Sequence, residues 1–158
     1  MSFLTSWGTA DRRVLLNLAE PALAVFERHI QARDTDTEAG GLLLGTVHGS
    51  NIAVSEATAP TRWDRRFRFL FERMPFGHAS VARLWWKASG GNVRYVGEWH
   101  THPQDYPAPS SLDRTEWNKL ARKRADGRPM LAVIVGRKGL YVELVPHSGV
   151  GPLMTPMD

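Results

Sequence analysis

The stretch Trp99–Asp113, WHTHPQDYPAPSSLD, constrains this chain more than any other part of it. It places His100 and His102 two residues apart, follows them with Pro103, and ends in Ser110 and Asp113 at an S-x-x-D spacing. Residues two apart on a strand share a face, so the two imidazoles project together while Trp99 and Thr101 face the other way, toward packing. Pro103 stops the strand because it has no N–H to donate to the ladder. S-x-x-D ahead of an amphipathic run is a capping box, in which Ser110 caps the helix and Asp113 helps satisfy free backbone N–H groups. The segment therefore reads as strand, short proline-stiffened loop and helix start. Two imidazoles and a carboxylate brought together this way are three ligands for a zinc ion, with one position open for water or substrate.

The rest of the composition narrows the chemistry. No cysteine occurs in the 158 residues, which removes a thiol nucleophile, a disulfide framework and every thiolate metal site. Any metal is held by His, Asp or Glu. The length suits one domain, 1–158, with a core expected over about 14–146 and a loosely ordered or docking tail at 147–158. The start, MSFLTSWGTADRR, lacks the basic and apolar regions of a secretory signal, and no apolar run reaches membrane-spanning length. A cytoplasmic protein with no membrane partner is the expectation. Net charge is +4, with basic runs at 62–68 and 114–128. Such runs suit nucleic acid or an acidic partner, but also a solvated helix face, and no aromatic-basic motif accompanies them. A nucleic-acid partner is not expected.

Hydrophobic spacing places the other elements. Strands are expected at 14–16, 40–47, 52–57, 67–71, 93–102, 131–135 and 140–145, the last two joined by GRKG as a hairpin. Helices are expected at 19–31, 75–89 and 111–124, with Val81, Leu84 and Trp85 inward on the second and Trp117 and Leu120 inward on the third. Of the paired Trp85 and Trp86, one is expected in the core and the other half exposed. Interleaved strands and helices with a hairpin predict an α/β domain with a mixed sheet. A hydrolytic site also needs a general base, for which Glu38 and Glu98 compete. Glu98 shares strand parity with the histidines, whereas Glu38 stands at the mouth of the Gly40–Gly41 strand, so the residues alone leave the choice open. His29, His48, His78 and His147 read as structural or surface residues.

With Glu38 in TEAGGLLLG, His100-Thr101-His102-Pro103, Ser110 and Asp113, the chain resembles the JAB/JAMM (MPN-plus) metalloprotease family over roughly 16–146. The resemblance implies a mixed, largely antiparallel twisted sheet between helices, as in cytidine deaminases. It implies one Zn²⁺ on His100, His102 and Asp113, with Glu38 as catalytic base, Ser110 stabilising the oxyanion, and Glu98 in a supporting role. The implied activity is a zinc-dependent isopeptidase or endopeptidase cleaving after the C-terminus of a ubiquitin-like modifier or conjugated protein. The phrases GEWHTHP and PSSLD further resemble stand-alone bacterial members from antiphage operons, CBASS among them. The partners implied there are a substrate with an extended C-terminal tail, a ubiquitin-activating or conjugating-like protein, and the CD-NTase of the same operon. Trp63, Phe67, Phe69, Asp105 and Tyr106 are candidates to line the substrate groove. Processing of a sulfur-carrier or ubiquitin-like precursor, and a non-catalytic assembly module, are the alternatives.

Overall fold

The structure, a computed structural model, describes residues 3–157. Its frame is an eight-stranded sheet with the order β10-β1-β2-β4-β3-β7-β8-β9. The strands are β1 (Ser6–Gly8), β2 (Leu15–Leu18), β3 (Gly40–His48), β4 (Asn51–Ala57), β7 (Arg94–Thr101), β8 (Met130–Val135), β9 (Leu140–Val145) and β10 (Thr155–Pro156). A separate hairpin is made by β5 (Arg65–Phe67) and β6 (Leu70–Glu72). The helices are α1 (Glu20–Arg28), α2 (His78–Ala88) and α3 (Ser111–Lys123). Only β2/β4 and β7/β8 pair in parallel, so the sheet is mixed and largely antiparallel, as the JAB-type resemblance implies.

The alternation of β8 shows how the two faces are covered. Leu131, Val133 and Val135 join Phe26 of α1 and Trp99 of β7 in the larger apolar cluster. Met130, Ala132 and Ile134 point the other way, to Trp117 and Ala121 of α3. Buried on both faces, β8 reads as an unbroken apolar run. The parity of β7 follows the same rule. Trp99 is buried against Phe26, with ring centroids 5.2 Å apart, and its indole N–H donates to the Thr58 carbonyl at 2.9 Å. Thr101 is equally buried, donating to Gln31 Oε1 and accepting from the Ala39 N–H. His100 therefore emerges on the α3 side, in register with Ile134. A side chain at Gly41 would collide with the Thr58 carbonyl, so only glycine lets β3 lie this close beneath the following segment.

Several expectations change. The run 67–71 is not one strand: the chain turns at Arg68-Phe69 and returns as β6. Helix α2 forms, but Val81, Leu84, Trp85 and Trp86 are all exposed and His78 is its only buried residue, because no layer covers its apolar side among the described residues. The core also reaches past 14–146. Phe3, Trp7 and Met154 join it, and residues 155–157 return along β1 rather than trailing free. No helix among the described residues is long and apolar enough to cross a membrane.

Candidate metal centre

The site assembles where β7 ends and α3 begins, joined by the loop 102–110. Backbone bonds from Arg137 to the Gln104 carbonyl and from Lys138 to the Asp105 carbonyl tie that loop to the β8–β9 turn. Parallel pairing of β7 with β8 makes α3 a crossover helix, which brings its N-terminus to the carboxyl end of β7. Polar ligand sites in sheet proteins collect at such edges.

Three side chains converge there. His100 Nε2 and His102 Nε2 are 3.1 Å apart, and Asp113 offers Oδ1 to the first at 3.2 Å and Oδ2 to the second at 3.1 Å. A tetrahedral ion about 2.0–2.1 Å from each ligand would hold its ligand atoms roughly 3.3 Å apart, close to the observed triangle. The donor set suits zinc, with two imidazoles and one carboxylate and room for a fourth ligand. Gln104 supplies a detail no motif gives. Its Oε1 lies 3.0 Å from His102 Nδ1, so Nδ1–H donates there and the Nε2 lone pair is left facing the triangle.

The capping box and a place in this triangle coexist for Asp113. Ser110 Oγ accepts from the Asp113 N–H at 3.1 Å, and Asp113 Oδ2 accepts from the Ser110 N–H at 2.8 Å. The helix start thus fixes the carboxylate that faces the histidines. Burial pushes the Asp113 carboxyl upward, but its contacts with the His100 and His102 rings, the charge of His100 and the Ser110 N–H prevail and hold it below the usual carboxylate range. Burial likewise lowers His102, yet Asp113, Gln104 and Glu38 raise it overall.

The two candidate glutamates sit in different surroundings. Glu38 Oε1 stands 3.7 Å from His102 Nε2, and its carboxyl is buried. Its backbone is clamped by the hairpin: the Glu38 N–H donates to Phe67 at 2.7 Å and Arg66 Nε donates to the Glu38 carbonyl at 2.8 Å. Burial pushes Glu38 up to about 8, with Asp113 adding to the rise and His102 opposing it. Glu98 instead receives Arg73 Nε at 2.9 Å. It stands beside the site, held in a structural ion pair.

A groove of about 470 Å³ opens from these residues, between β6 and the Leu112–Leu120 stripe of α3, with β7 as its floor. Of the five residues expected to line it, only Phe69 does. Asp105 is bound by Arg137 and Lys138, Trp63 packs against Phe76, Tyr106 covers Gly139, and Phe67 is exposed outside the groove. Leu112, Glu116 and Leu120 were missed, although their i, i+4 spacing on one helix face carries the signal. Gln104 and Arg73 had no such signal, since their roles depend on contacts across the fold.

Comparison with known proteins agrees with this geometry. The family described as prokaryotic homologs of the JAB domain matches residues 20–145. A Pseudomonas aeruginosa (strain BWHPSA011 / Pa011) protein named CD-NTase/cGAS isopeptidase is 57% identical over the whole of both chains. Proteins of the same name from Escherichia coli (strain TW11681) and Vibrio cholerae El Tor N16961 are 35% and 36% identical, the first over 71% of this chain and 70% of its own, the second over 66% and 65%. A solution structure of a Desulfitobacterium hafniense protein superposes with a TM-score of 0.60 at 20% identity, covering 87% of this chain and 88% of its own, which speaks to fold alone. With a family model matching residues 20–145 and a relative 57% identical along its whole length, this chain belongs to the prokaryotic homologs of the JAB domain.

Proposed function

We propose that the chain is a zinc-dependent isopeptidase that hydrolyses the bond between a C-terminal carbonyl and a lysine amine, releasing a protein from its conjugate. The observation that carries this reading is the ligand triangle of His100, His102 and Asp113 with the Glu38 carboxylate beside it. The relatives' name, CD-NTase/cGAS isopeptidase, supports a CD-NTase as the conjugated protein. A ubiquitin-like modifier or other protein joined through an extended tail, a cytoplasmic antiphage setting and a ubiquitin-activating-like partner belong to the same proposal.

His100, His102 and Asp113 would hold the ion. When bound, Zn²⁺ lowers the pKa of a nearby water, polarises the scissile carbonyl and draws the Glu38 carboxyl back toward its ionised form. Glu38 then takes a proton from the attacking water and returns it to the departing lysine amine, a shuttle its position beside His102 suits. Gln104 keeps His102 in the ligating tautomer throughout. Ser110 has its hydroxyl oxygen occupied by the Asp113 N–H, which leaves its proton to donate to the oxyanion that develops at the attacked carbonyl.

The direct test is cleavage of an isopeptide-linked conjugate by the zinc-loaded protein, read by mass spectrometry. Hydrolysis at the carbonyl–lysine bond, abolished by a chelator and restored by Zn²⁺, is the expected result. Chelator-insensitive cleavage would contradict the proposal. Ser110→Ala is expected to lower kcat about a hundredfold with metal retained. Its lost helix cap costs about 1 kcal/mol of stability, measured separately by urea unfolding. An unchanged kcat would remove Ser110 from the oxyanion role.

A further inference from the structure

The groove continues beyond the metal centre. Past Leu120 and Arg73, which belong to both, a second open recess of about 460 Å³ lies at the far end of α3. Its lining charges are Arg73, Arg94, Lys123 and Arg124 against the single acid Asp126. Arg73 is engaged by Glu98, and Arg124 by Asp126 at 2.8 Å. Arg94 and Lys123 form no salt bridge among the described residues, and Arg94 Nε is buried without a hydrogen-bond partner. The groove that holds the triangle carries Glu72 and Glu116 on its walls, paired loosely with the exposed Arg65 at 3.7 Å and Lys119 at 3.3 Å. Charge therefore changes sign between two recesses that share Arg73 and Leu120 as a common wall.

From this polarity we infer that the recess is a specificity subsite for an acidic side chain on the substrate's C-terminal tail, four to six residues before the scissile carbonyl. The inference rests on the isopeptidase reading and names the tail chemistry that reading leaves open. Two walls give the spacing independently. Arg94 precedes His100 by six residues of strand, about 20 Å. Lys123 follows Asp113 by ten residues of helix, about 15 Å. An extended chain covers 15–20 Å in roughly four to six residues. Only the acyl side can make that run: the amine side of an isopeptide bond offers one lysine stem and then the surface of a folded protein. An acid closer to the bond meets Glu72 and Glu116, so the position is selected by repulsion at the near end as well as by attraction at the far end.

The test is a set of isopeptide-linked peptides whose tails are neutral except for one Glu, moved through positions two to eight before the scissile carbonyl. With the zinc-loaded protein, kcat/KM is expected to rise about fivefold over the neutral tail when Glu sits at four to six, an advantage that added salt erodes. Lys123→Glu, an exposed change at a helix end, should erase the advantage, reverse it in favour of Lys at the same position, and leave the neutral tail within about twofold. Arg94→Gln provides a second loss of the advantage by a different residue. Equal cleavage of all tails, or a preference untouched by both substitutions, overturns this inference while the isopeptidase activity stands. Cleavage of none overturns the activity and the inference together.

Discussion

Glu38→Gln is expected to reduce hydrolysis by about a thousandfold while the protein still binds zinc. Gln keeps the volume and the hydrogen-bonding capacity of the side chain but cannot accept a proton from water. Glu38 is 3.7 Å from a proposed ligand atom without being part of the ligand triangle, which is why metal content and rate should separate. Turnover within tenfold of the native protein would exclude Glu38 as the base and return the role to Glu98. The same substitution has a signature in the metal-free protein. Burial raises the Glu38 carboxyl from its ordinary 4.5 to about 8, so the folded state keeps a proton that the unfolded chain releases. Its contribution to stability is complete below about pH 4.5 and is lost as pH rises toward 8. Glu38→Gln removes that loss, so the metal-free variant should gain stability relative to the native protein as pH rises through this window. Urea unfolding from pH 4 to 9 measures it, and parallel curves would contradict the account.

Arg114→Ala is expected to cost about 3 kcal/mol, large against the stability of a domain of this size. Arg114 follows Asp113 directly and carries the α3 side of a bidentate ion pair with Glu143 of β9. Its guanidinium donates Nη1 to Glu143 Oε2 at 2.5 Å and Nη2 to Glu143 Oε1 at 2.7 Å, and Glu143 is fully buried. Truncation leaves that carboxylate with only Tyr141 Oη at 2.6 Å and a long contact to the Gly151 N–H at 3.4 Å. The penalty is the stranded charge more than the missing attraction. Replacing both partners, Arg114→Met with Glu143→Leu, should therefore recover much of the loss. Urea midpoints decide it: a cost below about 1 kcal/mol for Arg114→Ala would mean the carboxylate is not stranded.

The clustering of His100, His102 and Asp113 was legible because each position rests on a local rule. Strand parity set His100 and His102 on one side of β7, and the capping box set Asp113 at the first turn of α3, with a loop of only a few residues between them. Those rules survive folding because they depend on neighbours in sequence. The choice between Glu38 and Glu98 does not. Both face the same region, and what separates them is Arg73, brought to Glu98 from a hairpin 25 residues away. Helix α2 shows the opposite failure. Its apolar spacing is helical, but whether such a face is covered depends on a layer that the described residues do not provide, and Leu84 and Trp86 remain in solvent. Strands β1 and β10, three and two residues long, carry too little pattern to be seen, and they pair across nearly the whole sequence. The hairpin at 65–72 was blurred because FRFLF is apolar on both sides of its turn.

The most direct test of a zinc hydrolase is metal content measured on the purified protein beside the His100→Ala/His102→Ala double variant, with both checked for folding by circular dichroism. About one zinc per chain in the native protein, lost from a folded double variant, is the expected result. No zinc in the native protein even after zinc is supplied, or equal zinc in both, would contradict the account.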